Sequence, residues 1–156
     1  MIYFIGNKIL ESEHYTMSSV EDCLEYFDSQ SEIELDTETT GLDPHAKELL
    51  CIQFGTPDRQ YVIDTTVVPM NKFKNLLENE SKLFLLQNAK FDLKFLFKHN
   101  IEVSNVYDTM LAECLLTAGH EDRSVGLKAI AMKYLDVDLD KSVRGSIHVE
   151  GLSDRV

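Results

Sequence analysis

The residues best suited to chemistry include two carboxylates that stand two positions apart. Asp36 and Glu38 follow an apolar stretch that begins at Ile33. Side chains two apart on an extended strand point to the same face, so these carboxylates would lie side by side and repel each other. A cation would relieve that repulsion, and hard oxygen ligands suit Mg²⁺ or Mn²⁺. A solvated acidic turn has the same spacing, and the pair alone favours that simpler interpretation.

A third carboxylate stands on the apolar side of a predicted helix. At about 100° per residue, Asp92 falls between Phe95 and Leu96. Burying a carboxylate is costly unless the group is paired or bound to a metal ion. Asp92 is therefore a candidate metal ligand. Asn88 stands at the start of the same helix, where its ordinary role is that of an N-cap.

Other polar residues allow two interpretations each. Lys90, Lys94 and Lys98 recur every four residues along another side of that helix, where they could contact phosphates or simply be solvated. Asp108 precedes the next helical stripe, and N-capping is a simpler role for it than metal binding. The five histidines show no spacing typical of metal ligands.

The elements that must position these residues alternate between strand and helix. Strands are predicted over 33–36, 49–54, 60–63 and 83–86, after a leading hairpin formed by 1–5 and 8–11. Helices are predicted from Ser18, with Glu21 as capping-box partner, and over 71–77, 90–98, 111–118 and 127–134. This order predicts one α/β domain over residues 1–156, with a mixed sheet flanked by helices. The signal fades after Asp136, and 138–156 is predicted to be loop.

Composition narrows the function classes. The 156 residues can form one core without disulfides, and Cys23, Cys51 and Cys114 make no paired motif, so all three are expected to be small core residues. No segment reaches the roughly 20 apolar residues of a membrane helix, and no signal peptide is evident, so a cytoplasmic location is expected. The net charge of −12 would repel a polyanion, so affinity for one must come from local features such as bound cations.

Taken together, these residues resemble the proofreading 3′→5′ exonuclease domain of family A DNA polymerases and, nearly as closely, ribonuclease D. Both belong to the DEDD exonuclease superfamily. In this chain, DTETTGL at 36–42 resembles the first motif of that superfamily, and NAKFDLKFL at 88–96 resembles the second. YDTMLA at 107–112 and LKAIA at 127–131 resemble the two helices that follow the second motif in the polymerase domains. The likeness covers about residues 30–145.

The resemblance implies a ribonuclease H-like fold and a site for two Mg²⁺ or Mn²⁺ ions. Asp36 and Glu38 would bind metal directly, Asp92 would bind through the second ion or its water, and Leu42 and Asn88 would contact the terminal nucleotide. The implied activity is 3′→5′ removal of nucleoside 5′-monophosphates from single-stranded or frayed DNA ends. An RNA substrate is one alternative. A catalytically incomplete module that binds nucleic acid or a DNA polymerase partner is another.

The superfamily also has a third motif, Tyr-x-x-x-Asp, which supplies a fourth carboxylate. The run LSDRV at 152–156 resembles the segment that normally precedes this motif, so we expect the domain to lack it. His148 and Asp154 offer a substitute, but their spacing is one residue longer than the His-x-x-x-x-Asp of a sister branch.

Overall fold

The computed structural model describes residues 1–7, 15–118, 120 and 123–139, and over these ranges it contains seven strands and five α-helices. The strands are β1 (Ile2–Ile5), β2 (Thr16–Met17), β3 (Glu32–Thr39), β4 (Leu49–Gly55), β5 (Gln60–Asp64), β6 (Leu83–Leu86) and β7 (Val106–Asp108). The helices are α1 (Val20–Asp28), α2 (Lys74–Leu77), α3 (Ala89–Lys98), α4 (Thr109–Leu116) and α5 (Leu127–Leu135). A 3-10 turn at Met70–Phe73 leads into α2. No helix in the described ranges is long and apolar enough to span a bilayer.

The strands form one mixed sheet in the order β2-β1-β5-β4-β3-β6-β7. Pairing is antiparallel between β3 and β4 and between β4 and β5, and it is parallel for every other neighbouring pair. The predicted hairpin of β4 and β5 is confirmed, as is the α/β class with a mixed sheet. Because β3, β6 and β7 run parallel, their carboxyl ends lie at the same edge of the sheet.

Strand alternation lets β3 serve both the core and the pocket at its end. The odd-numbered residues of 33–39 are buried, whereas Glu34 and Asp36 on the opposite face are exposed. The register between β3 and β4 shifts between Glu38 and Thr39. Such irregularities re-aim side chains and are common beside active sites.

One apolar core joins the sheet to the first three helices. Its fully buried aromatic side chains include Phe27 of α1, Phe54 of β4, Phe84 of β6 and Phe95 of α3. Aromatic side chains of this kind each bury about 150–250 Å² and dominate core energetics. The core therefore fixes α3 against the sheet, which matters because α3 carries Asp92.

The first arm of the predicted leading hairpin is present as β1, which pairs in parallel with β2 on one side and with β5 on the other. The second arm, residues 8–11, lies outside the described ranges, as do residues 140–156, so the hairpin stays a prediction.

Two smaller predictions also need correction. Ser19, rather than Ser18, caps α1 by accepting a hydrogen bond from the Asp22 amide at 3.0 Å, while Ser18 donates to the Asp22 carboxylate at 2.6 Å. Cys23 and Cys51 are buried as predicted, but Cys114 is only partly buried. The reason is that α4 leaves much of its apolar surface exposed, so its side chains meet less of the core.

Candidate active site

The ends of β3 and β6 border a pocket of about 250 Å³. From β3 and the loop after it, the lining residues are Asp36, Thr37, Glu38, Thr39 and Leu42. From the turn after β6 and the start of α3, they are Gln87, Asn88, Phe91 and Asp92. All five predicted site residues thus line one pocket, although they come from two distant segments. Ligands of open α/β sheets usually bind at the carboxyl ends of the strands.

The first pair of carboxylates extends from the end of β3 over a buried thiol. Asp36 is exposed and Glu38 is half-buried, as strand alternation predicts for neighbours on one face. Cys51 lies opposite Glu38 in the register of β4. Burial, and then the negative charge of Glu38, raise the pKa of the Cys51 thiol to about 12. Cys51 is therefore a neutral neighbour of the carboxylates.

The third carboxylate reaches the pocket from α3. Asp92 is only 2% exposed, and its Oδ1 accepts a hydrogen bond of 2.6 Å from the Thr37 hydroxyl. Burial raises the pKa of Asp92 to about 6; the bond from Thr37 opposes this rise, and the negative charge of Asp36 adds to it. Asp92 is therefore close enough to Asp36 for the two charges to interact.

The loop after β3 holds an apolar side chain at the rim of the pocket. Leu42 is 83% exposed. Below it the loop is closed by two hydrogen bonds of 2.9 Å, one from the Thr40 amide to the Glu48 carbonyl and one from the Glu48 amide to the Thr40 hydroxyl. Thr39 adds a 2.7 Å bond to the Gly41 carbonyl. The closed loop gives Leu42 a defined position at the rim, and contact with a nucleotide stays a prediction.

Asn88 stands at the N-cap position just before α3, as predicted, but its side chain makes no capping hydrogen bond. The residue has left-handed backbone angles, φ 64° and ψ 49°. The carboxylate of Asp108 accepts from the Asn88 and Ala89 amides instead. Asp108 also caps α4, as predicted, by accepting from the amides of Met110 and Leu111.

The three lysines of α3 do not share one role. Lys98 forms a 2.8 Å ion pair with Glu48 and donates to the Lys47 carbonyl at 3.0 Å, so it anchors the loop that carries Leu42. Lys90 and Lys94 are exposed, and contact with phosphates stays a prediction for these two.

The chemistry of the pocket fits a hard divalent cation, because its acidic groups offer only oxygen donors. Asp36, Glu38 and Asp92 are the residues that would hold such an ion. Within the described ranges, no three acidic, histidine or cysteine side chains lie close enough together to form a ready-made metal site. Metal binding by these three residues stays a prediction. His148 and Asp154, the proposed substitute for a fourth ligand, lie outside the described residues.

Sequence reasoning missed four residues that line the pocket: Thr37, Thr39, Gln87 and Phe91. Thr37 lies between two carboxylates on a strand, so alternation alone indicates that it faces the core, where it meets Asp92. Phe91 reads as an apolar residue of α3; it packs on the core and also lines the pocket. Gln87 showed no sequence signal, because its place at the pocket depends on the pairing of β6.

Comparison with known proteins assigns this chain to a family. The family model described as 3'-5' exonuclease matches residues 14–146, which include every residue that lines the pocket. The chain belongs to the 3'-5' exonuclease family. This exonuclease chain is 37% identical over 112 residues to DNA polymerase I of Aquifex aeolicus (strain VF5), a match that covers 72% of the chain. It spans 18% of the length of that polymerase.

Solved structures share the fold of the exonuclease chain. Brucella melitensis NrnC with bound Mg²⁺ is 27% identical with a TM-score of 0.72, and the match covers 98% of this chain and 69% of NrnC. The structure of NrnC bound to pGG matches with the same identity and coverage and a TM-score of 0.73. Escherichia coli RNase D, at 22% identity and a TM-score of 0.71 over 87% of this chain and 36% of its own, shows the fold alone. The resemblance to the DEDD exonucleases is confirmed, and so is the ribonuclease H-like fold that it implied.

Proposed function

We propose that this chain is a two-metal-ion 3′→5′ exonuclease that acts on single-stranded or frayed DNA 3′ ends and releases nucleoside 5′-monophosphates. The observation that carries the proposal is that Asp36, Glu38 and Asp92 line one pocket of an exonuclease-family chain. Leu42 and Asn88 at the same pocket supply an apolar and an amide contact for the terminal nucleotide. The cytoplasmic location expected from the sequence stays a prediction.

In this proposal Asp36, Glu38 and Asp92 hold two Mg²⁺ or Mn²⁺ ions. When bound, the ions supply an activated water and charge stabilisation for the leaving 3′ oxygen. Asp36 and Glu38 would hold the ions beside the phosphate, and the buried Asp92 would take part only when ionised. Residues 1–156 would form one exonuclease-like domain, and the fourth carboxylate implied by the resemblance is assigned to none of the described residues.

The deciding experiment replaces one carboxylate of the β3 pair. Asp36→Ala should abolish Mg²⁺- or Mn²⁺-dependent release of mononucleotides from a 5′-labelled single-stranded DNA, because one of the charges that hold the cations is lost. Glu32→Ala is the matched control, since Glu32 is an exposed acidic residue at the opposite end of the same strand. Equal release by wild type and Asp36→Ala would refute the assignment.

An RNA substrate is the second candidate, and the similarity to NrnC solved with pGG supports testing it. Matched DNA and RNA oligonucleotides of one sequence, degraded side by side, separate the two substrates because they differ mainly in the 2′-hydroxyl. A higher kcat/KM for the RNA would replace DNA with RNA in the proposal.

The same preparation tests a non-catalytic role. The similarity to a DNA polymerase allows a module that only binds nucleic acid or a polymerase partner. If the chain binds oligonucleotide in titrations yet hydrolyses neither DNA nor RNA at saturating Mn²⁺, the binding role stands and the exonuclease proposal fails for this chain.

A further inference from the structure

One carboxylate outside the pocket joins the starts of two helices. Asp108 lies at the carboxyl end of β7, next to β6 in the sheet. Its Oδ1 accepts from the Asn88 amide at 3.0 Å and from the Met110 amide at 2.9 Å, and its Oδ2 accepts from the Ala89 amide at 2.9 Å. An N-cap of α4 alone needs only the bond to Met110, so the bonds to α3 call for a separate explanation.

The start of α3 depends on those bonds. The first amides of a helix have no partner within it, and a capping side chain normally satisfies them. The Asn88 side chain does not do so, and this residue has a left-handed backbone that persists only when its surroundings hold it. Asp108 therefore acts as the cap of α3 from a neighbouring strand, at the turn that brings Asn88 to the pocket.

The next residue restrains the same turn. The Thr109 hydroxyl lies 3.0 Å from the Leu86 carbonyl and 2.5 Å from Gln87 Oε1, within hydrogen-bonding distance of both. Gln87 in turn donates through Nε2 to the Val125 carbonyl at 2.9 Å. The segment between β6 and α3 is thus held from two consecutive residues, Asp108 and Thr109.

We propose that Asp108 is a positioning residue for the exonuclease site, because it holds the turn that presents Asn88 and the first turns of α3, with Asp92, to the pocket. This inference rests on the proposed function, since it assigns Asp108 a part in placing the residues of that site. Asp108 acts through α3 and is not itself a metal ligand in this proposal.

A serine at this position separates positioning from capping. In Asp108→Ser the hydroxyl can still cap α4, because serine is among the preferred N-cap residues. The shorter side chain has a single oxygen and cannot also reach the amides of Asn88 and Ala89. Loss of a supporting residue behind metal ligands typically costs about 10- to 100-fold in metal affinity or activity. We expect a loss of that size in kcat and in apparent Mn²⁺ affinity, with KM changed less than kcat.

Ser19→Ala is the matched control, because it removes the N-cap of α1 away from the pocket. It should lower the melting temperature, as loss of an N-cap does, and keep kcat within about twofold, since a cap far from the site affects only stability. Unchanged kcat and Mn²⁺ dependence in Asp108→Ser would overturn the inference, as would an equal loss of kcat in both variants.

Amide hydrogen exchange tests the inference even if the wild-type chain proves inactive. Asp108→Ser should speed exchange at the Asn88 and Ala89 amides by about tenfold or more and shift the Asp92 amide resonance, because the bonds to Oδ1 and Oδ2 are lost. The amides of β4 should exchange as in the wild type. If the wild type is inactive but both amides exchange faster in Asp108→Ser than in the wild type, the positioning role stands while the exonuclease proposal falls. Unchanged exchange at both amides would overturn the positioning role.

Discussion

At the scale of single residues, the most unusual group is the Asp92 carboxylate. It lies in an almost fully buried position, and burial raises its pKa to about 6 from an ordinary value of 3.8. The hydrogen bond from Thr37 keeps the rise from being larger. A carboxylate in such a place lowers the stability of the metal-free fold near neutral pH, and a bound cation would offset that cost.

The cost of Asp92 can be measured through the pH dependence of folding. A carboxylate whose pKa is raised on folding contributes most to stability below its unfolded pKa, and that contribution is lost as pH rises through the folded pKa. In metal-free buffer, Asp92→Asn should therefore change stability little near pH 4 and stabilise the fold at about pH 7.5, by on the order of 2–3 kcal/mol. Urea unfolding at the two pH values measures this difference.

Asp58→Asn is the control for that experiment, because Asp58 is an exposed aspartate in the turn between β4 and β5. The control should show no such pH-dependent gain. If Asp92→Asn destabilises the protein equally at both pH values, ionisation of Asp92 does not lower the stability of the fold. Mn²⁺ should stabilise the wild type at pH 7.5 and should stabilise Asp92→Asn less.

At the scale of elements, a buried lysine ties α1 to the start of β6. Lys82 is 5% exposed, and its Nζ donates to the carbonyls of Phe27, Asp28 and Gln30 at 2.8, 2.9 and 2.9 Å. These carbonyls lie at and just beyond the end of α1, where a helix carries partial negative charge. The contact brings β6 beside β3, so that the ends of both strands meet at the pocket.

Replacing Lys82 should weaken the fold without removing any pocket residue. Lys82→Met keeps the apolar stem but leaves one buried and two partly buried carbonyls without this donor, which should lower the free energy of unfolding by roughly 2–4 kcal/mol. Urea unfolding measures the change. Lys72→Met, at an exposed lysine of the 3-10 turn, should change stability little. Equal stability of the two variants would show that the Lys82 bonds contribute no net stability.

At the scale of the whole molecule, the net charge of −12 sets how this chain meets a polyanion. Its long-range field repels nucleic acid, and salt screens that repulsion. Proteins that neutralise six to ten phosphates lose about 10³–10⁵ in affinity between about 50 mM and 200 mM salt. A chain that holds nucleic acid mainly by metal ions at the terminal nucleotide should lose much less affinity over this salt range.

We expect kcat/KM on single-stranded oligonucleotide to fall less than about tenfold over that salt range at constant free Mn²⁺, because few phosphates are neutralised by side chains. The double variant Lys90→Gln and Lys94→Gln tests the two exposed lysines of α3, and each phosphate contact that it removes should lower the salt slope by about one. A loss near 10³ for the wild type would instead reveal an extensive cationic contact surface.

Local patterns in the sequence determined much of this protein. Alternation places Asp36 and Glu38 together at the end of β3, and helical periodicity places Asp92 on the buried side of α3, because both depend on residues only a few positions apart. For the same reason the hairpin of β4 and β5, the strand β6 and the longer helices could be predicted. The family motifs then indicated which of these carboxylates belong to one site.

Contacts between distant segments were decided only by the tertiary structure. The pairing of β3 with β6 brings Asp92 to Thr37, and the pairing of β6 with β7 brings Asp108 to the start of α3. β7 is three residues long, too short to show a period. β1 pairs in parallel with β2 and β5, and no pattern in the neighbouring residues indicates either pairing. Strand pairing depends on the folded arrangement of the whole sheet, so the sequence alone could not predict these contacts.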